Sequence, residues 1–191
     1  MRRASNVTWL VTGVLSVALL VGSAPVVHAV AARQLTTAEL RPLVLTTPQA
    51  RQATGFGGDL SPGTPAAFKC GRQPDNQATF CSRIWNSTSQ AAHPTISTVA
   101  SFASAGKAQA QILDEAGRAK QVGTIVKQSP TYLLYSLEGP PDLGRVAVAQ
   151  QSVGSTYLYA WCTSAPSGPM SAGATCAADL LKAQGAKAAG H

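Results

Sequence analysis

The stretch RVAVAQQSVGSTYLYAWC, residues 145–162, decides the fold. RVAVAQ (145–150) and GSTYLYAWC (154–162) read as strands rich in β-formers, with Gln151-Ser152 as the turn between them. A connection this short cannot carry a parallel crossover, so the two strands run antiparallel. Alternation along the second strand puts Tyr157, Tyr159 and Trp161 on one face, and Leu158, Ala160 and Cys162 on the other.

The same pattern extends outward in both directions. Val122–Lys127 and Thr131–Leu137 read as strands upstream, separated by Ser129-Pro130 and followed by the breaker Gly139-Pro-Pro-Asp142. Ala66–Cys70, Ala78–Trp85 and Thr95–Phe102 add three more, while Phe56–Pro65, dense in glycine and proline, reads as a surface loop. Helices are expected where the period changes. Ser104 caps a segment placing Ala105, Ala108, Ile112 and Ala116 on one face. Ser171–Gln184 presents Cys176, Leu180 and Ala183 together and ends before Gly185. Near the start, Thr36 and Glu39 stand at capping-box spacing for a short helix to about Leu45, and Thr47-Pro48 opens a second that stops at Gly55. The expected fold is therefore α+β: an antiparallel sheet of five to seven strands with helices packed on it.

Arg2 and Arg3, the apolar run Val7–Val21, Pro25 and the triplet Val27-His28-Ala29 form a secretory signal cut after Ala29. The charge-free run Ala4–Ala32 is also long enough for an uncleaved anchor, which would give the chain its membrane contact. Either way the domain, residues 30–185, is expected outside the cytoplasm as a secreted or anchored protein, with 186–191 as a flexible tail. No Cys follows the apolar run, so a lipidated N-terminus is not expected. Four cysteines, Cys70, Cys81, Cys162 and Cys176, lie in the exported part, an even count that suits two disulfides in an oxidising compartment. Proximity favours Cys70–Cys81 and Cys162–Cys176, and a crossed Cys81–Cys162 pairing stays open. Their spacing is too wide for a zinc knuckle, so no metal is expected. Without Arg2 and Arg3, 13 Lys/Arg stand against 8 Asp/Glu, a net charge of +5, but the basic residues are scattered from Arg33 to Lys187, which argues against a nucleic-acid partner.

Four motifs carry a resemblance: Leu43-Val-Leu-Thr-Thr47 leading to Thr54-Gly55, Thr98-Val-Ala-Ser-Phe102-Ala-Ser-Ala105 before an Ala-rich helix, Trp161-Cys162 ending a strand, and Cys176 in the last helix. Together they make the chain similar to the extracytoplasmic sensor domains of mycobacterial Ser/Thr kinases and related envelope lipoproteins. The resemblance implies an antiparallel sheet flanked by helices, two disulfides and a ligand cleft.

Catalytic signals are thin. His93 and His191 are the only histidines past the signal, and no G-x-S-x-G elbow offers a nucleophile for a triad. Ser104-Ala-Gly-Lys107 has the S-x-x-K spacing without its S-D-N or K-T-G partners, and reads as a helix cap with a surface lysine. Asp114 and Glu115 are adjacent, so on a helix they diverge by about 100° and do not form an acid/base pair. The Asn86-Ser-Thr88 sequon carries little weight in a chain with bacterial export features. The candidate ligand-binding residues are Tyr157, Tyr159 and Trp161, whose alternative is to pack beneath a helix. Tyr132 or Tyr135, on opposite faces of a nearby strand, could extend that wall, and Trp85 is assigned to the core. The expected function is a non-catalytic, cofactor-free binding or sensor-like module of the envelope, its partner an unidentified ligand or protein. Two alternatives are a protease inhibitor presenting the 163–175 loop and a hydrolase using His93.

Overall fold

A computed structural model describes residues 33–55, 60–62, 68–87, 94–139, 144–164 and 170–190. The chain divides into two units, Met1–Val30 and Ala31–His191, and all described residues belong to the second. Among the described residues, four α-helices, α1 (Thr37–Leu40), α2 (Thr47–Thr54), α3 (Ala105–Val122) and α4 (Met170–Ala189), accompany eight strands. The strands are β1 (Leu60–Pro62), β2 (Phe68–Arg72), β3 (Thr79–Ser87), β4 (Pro94–Ser101), β5 (Gly123–Ser129), β6 (Tyr132–Glu138), β7 (Arg145–Val153) and β8 (Thr156–Ser164).

Every pairing in the sheet is antiparallel, and its order is β1-β3-β4-β8-β7-β6-β5. β2 shares the β3 edge with β1, facing Thr79–Arg83 while β1 faces Trp85–Ser87. Eight strands thus fill seven positions, in agreement with the α+β antiparallel expectation. β1 lies in the stretch read as loop. Leu60 is wholly buried, and the Arg51 guanidinium donates to its carbonyl at 2.7 and 3.0 Å, so tertiary contacts override the local glycine and proline signals.

The hydrophobic residues of the sheet alternate between two helix-covered faces. One face packs Cys81, Trp85, Val99, Leu158 and Ala160 against Leu40 and Leu45 and against Leu180 and Leu181 of α4. The other packs Leu133, Tyr135, Val146 and Val148 against Ala108, Ile112, Ala116 and Ala119 of α3. Trp85 is fully buried and its indole N–H donates to Thr47 Oγ1 at 3.0 Å.

Local signals placed most helix starts. Thr36 and Glu39 cap each other at the start of α1, and the Arg33 guanidinium with Thr36 holds the Glu39 carboxyl down to about 2. α1 gives way to a 3-10 turn, Arg41–Leu43. The N-cap of α2 is Thr46 rather than Thr47, with Gln49 Oε1 accepting from its N–H at 2.9 Å, and Gly55 closes the helix at φ 69°.

Among the other boundaries that differ from the sequence reading, three have a clear local cause or consequence. The β7–β8 turn is Gly154-Ser155 rather than Gln151-Ser152, because Gly154 (φ 56°) supplies the left-handed residue that a two-residue hairpin needs. α3 runs on to Val122, so β5 begins one residue later than expected. α4 passes through Gly185 to Ala189, where a helix end and flexible tail were expected. Gly185 packs beside Leu158, Gln184 is wholly buried, and Lys187 Nζ bonds the Val44 carbonyl at 2.7 Å; these contacts outweigh glycine's poor helix propensity. No helix among the described residues is long and apolar enough to cross a membrane.

Candidate functional site

The face of the sheet beneath α3 is only partly covered. α3 packs on β5, β6 and β7 and touches β8 lightly. The same face of β3, β4 and β8 carries three cross-strand rows: Phe80, Ala100 and Tyr157; Ser82, Thr98 and Tyr159; Ile84, Ile96 and Trp161. Tyr159 and Trp161 are half-buried, as are Phe80, Ser82, Ile84, Ile96 and Thr98, so this half of the face is in reach of solvent.

A cavity of about 400 Å³ opens between this surface and α3, and Tyr157, Tyr159 and Trp161 all line it. Phe80, Phe102 and Tyr135 complete the aromatic lining, with Gln73, Gln111 and Glu115 among its polar groups. Within the row the three residues play different parts. Tyr157 is 8% exposed and packs edge-on against Phe102, ring centres 6.0 Å apart, as the beneath-a-helix alternative expects. Tyr159 and Trp161 form the accessible wall. Tyr135 lies on the cavity side of β6, though β7 stands between its strand and β8. Tyr132 projects from the opposite face, into a separate hollow beside Leu158 and α4.

The cavity is rich in donors. Burial pushes the phenol pKa of Tyr135 up to about 12 and those of Tyr157 and Tyr159 higher still, and the Glu115 carboxylate adds to each shift. All three are therefore neutral O–H donors at physiological pH. Trp161 Nε1 is buried with no acceptor among the described residues. Gln150, 1% exposed and paired with Tyr159 across β7 and β8, leaves both amide atoms unpartnered. Unsatisfied buried polar atoms are costly, and the indole N–H of Trp161, a lining residue, has a bond to offer an incoming molecule. Glu115 accepts from Gln111 Nε2 at 3.3 Å and from Arg118 Nη1 at 3.2 Å, which fixes it at the rim. No histidine, cysteine or lysine is among the described lining residues.

Other residues singled out by sequence fall elsewhere. Both disulfides are local, Cys70–Cys81 directly across β2 and β3, and Cys162–Cys176 between β8 and α4, which removes the crossed pairing. Ser104 Oγ accepts from the Lys107 N–H at 3.3 Å, the capping role expected of that motif. Asp114 and Glu115 both pair with Arg118. His93, His191 and residues 165–169 of the 163–175 loop lie outside the described residues. No cluster of three or more metal-ligating side chains occurs among the described residues. Sequence reading missed Glu115 as a cavity residue and Gln150 as a buried polar residue on the same face of the sheet. Gln150 did leave a trace, as a polar residue at an inward position of the apolar alternation RVAVAQ.

The architecture is that of an α+β domain with an antiparallel sheet between helices, two disulfides and an aromatic cavity. No protein-family model matches the chain, and no curated protein does. Among solved structures it is similar to the extracellular domain of PknH from Mycobacterium tuberculosis, with a TM-score of 0.57 and 14% identity over 81% of this chain and 99% of that one. At that identity the likeness establishes a shared fold.

Proposed function

We propose that this chain is an exported, non-catalytic binding or sensor-like module of the cell envelope, and that its ligand enters the cavity against Tyr159 and Trp161. The observation that carries the reading is a half-covered sheet face with six aromatic side chains, three neutral phenols and an indole N–H lacking an acceptor among the described residues. Ligand pockets orient their occupants through convergent polar groups set among apolar walls, and this cavity, more polar than apolar, sets Gln73, Gln111 and Glu115 beside its aromatic rings. Two disulfides suit an oxidising compartment, and the secretory signal supplies the route to it. The shared fold with an extracellular domain is consistent with that placement.

A thermal-shift screen of envelope glycans and lipids, followed by titration of any hit, tests the proposal. Trp161→Ala should weaken binding of a hit by about 1–3 kcal/mol, as expected of a central aromatic contact, and Lys120→Ala on the exposed side of α3 should leave it unchanged. Equal losses from both substitutions would reject the cavity as the site. A hydrolase panel run on the same material should show no turnover, and activity there would overturn the non-catalytic reading.

A further inference from the structure

On the opposite face of the sheet, Phe68 and Arg83 pair directly across β2 and β3. The Arg83 guanidinium carbon lies 5.1 Å from the centre of the Phe68 ring, and that of Arg41, from the 3-10 turn, lies 5.1 Å from the same centre. Both cations are therefore held against one aromatic ring, which fixes their stems. Arg41 is exposed, while Arg83 is half-buried with its Nε enclosed and lacking an acceptor among the described residues.

A third cation arrives from α4. Gln184 Oε1 accepts from Ser97 Oγ at 2.6 Å, and Ser97 is the β4 residue paired with Arg83. Three residues further on, Lys187 Nζ donates to the Val44 carbonyl and to Gln49 Oε1 at 3.0 Å. Burial, then the charge of Arg41, lowers the Arg83 pKa; burial, then the charge of Arg83, lowers that of Lys187. The ion-paired carboxylates of the described residues are engaged elsewhere: Glu39 with Arg33, Asp114 and Glu115 with Arg118, Glu138 with Arg145.

Arg41 and Arg83 thus share one ring, and Lys187, on the same side of the sheet, lies near enough for the charge of Arg83 to act on it, an arrangement that self-repulsion disfavours until an anion joins it. We infer that Arg41, Arg83 and Lys187 form an oxyanion site that takes a phosphate group. A single guanidinium fork saturates the two oxygens of a carboxylate, whereas a tetrahedral phosphate presents enough oxygens for two forks and an ammonium. Free phosphate and the headgroup of an anionic lipid share this chemistry. The site lies across the sheet from the aromatic cavity and does not depend on it.

Titrating inorganic phosphate into the full chain at constant ionic strength, with chloride as the balancing anion, tests the inference through the Arg83 Nε–H resonance. Saturable movement of that resonance is expected. Arg41→Gln, a change at an exposed position, should weaken the interaction at least about ten-fold. Arg83→Lys keeps the charge but loses the fork, and should weaken it as well, whereas Lys120→Gln and Trp161→Ala should not. Vesicles of phosphatidylglycerol in phosphatidylcholine separate the two sources. Binding that exceeds that to phosphatidylcholine alone and is lost in Arg41→Gln assigns the site to a headgroup; phosphate binding without it assigns the site to a soluble phosphate. Chloride acting as well as phosphate, unchanged affinity in Arg41→Gln, or no response to either probe would overturn the inference.

Discussion

Gly123 shows how a single position can be fixed by space rather than by backbone angle. It is extended (φ −158°), a conformation open to any residue, yet a Cβ there would land on the Ser136 carbonyl oxygen of β6. Gly154 is the reverse case, with φ 56° and nothing within 4 Å of an added Cβ. Gly123→Ala should therefore cost more than about 2 kcal/mol by forcing β5 off β6, and Gly154→Ala only about 1 kcal/mol of left-handed strain. Urea denaturation midpoints would check the order, and equal costs would contradict it. Sequence made the turn role of Gly154 hard to see, because Gln151-Ser152 looked equally polar; only the pairing of Gln151 with Leu158 and of Ser152 with Tyr157 extends the hairpin past them. The capping residues Thr36 and Ser104 were legible, since a cap is made by neighbours in sequence.

Among the elements, the two disulfides act on different kinds of joint. Cys70–Cys81 staples the short edge strand β2 to β3, and Cys162–Cys176 ties the end of β8 to the first turns of α4. Sequence separations of 11 and 14 residues close short loops, and the chain-entropy account gives each about 3 kcal/mol. Replacing Cys162 and Cys176 together by alanine should lower the unfolding free energy by about that amount, measured in urea, with an m-value that rises as the unfolded chain expands. A loss below about 1 kcal/mol would mean that α4 is held by its apolar contacts alone. These pairings were favoured by proximity in sequence, and the strand register settled them. The extent of α4 was not legible. Gly185 carries a local stop signal, and the contacts that override it come from Leu158 and Val44, far away in the chain.

At the scale of the whole molecule, the aromatic cavity makes stability sensitive to alkali. An acid whose folded pKa is raised contributes stability that is fully present below its unfolded value and is lost as pH rises through the folded one. For Tyr135 that window runs from 10.0 to about 12, with Tyr157 and Tyr159 extending the loss upward. Denaturation midpoints should accordingly hold steady up to pH 10 and fall above it, and Tyr135→Phe should reduce the slope between pH 10 and 12. An unchanged slope would place Tyr135 outside the buried set. Periodicity, capping pairs and short connections sufficed, in the sequence alone, for the antiparallel α+β architecture and the shared face of Tyr157, Tyr159 and Trp161, because each depends on residues a few positions apart. Tertiary structure alone decided that α3 covers β5–β7 and leaves β3, β4 and β8 half-open, which turned that face into a cavity wall. It also decided that Arg41 and Arg83 share the Phe68 ring, with Lys187 close enough to feel the charge of Arg83. Long-range packing sets both arrangements, and no local pattern encodes which distant side chains it brings together.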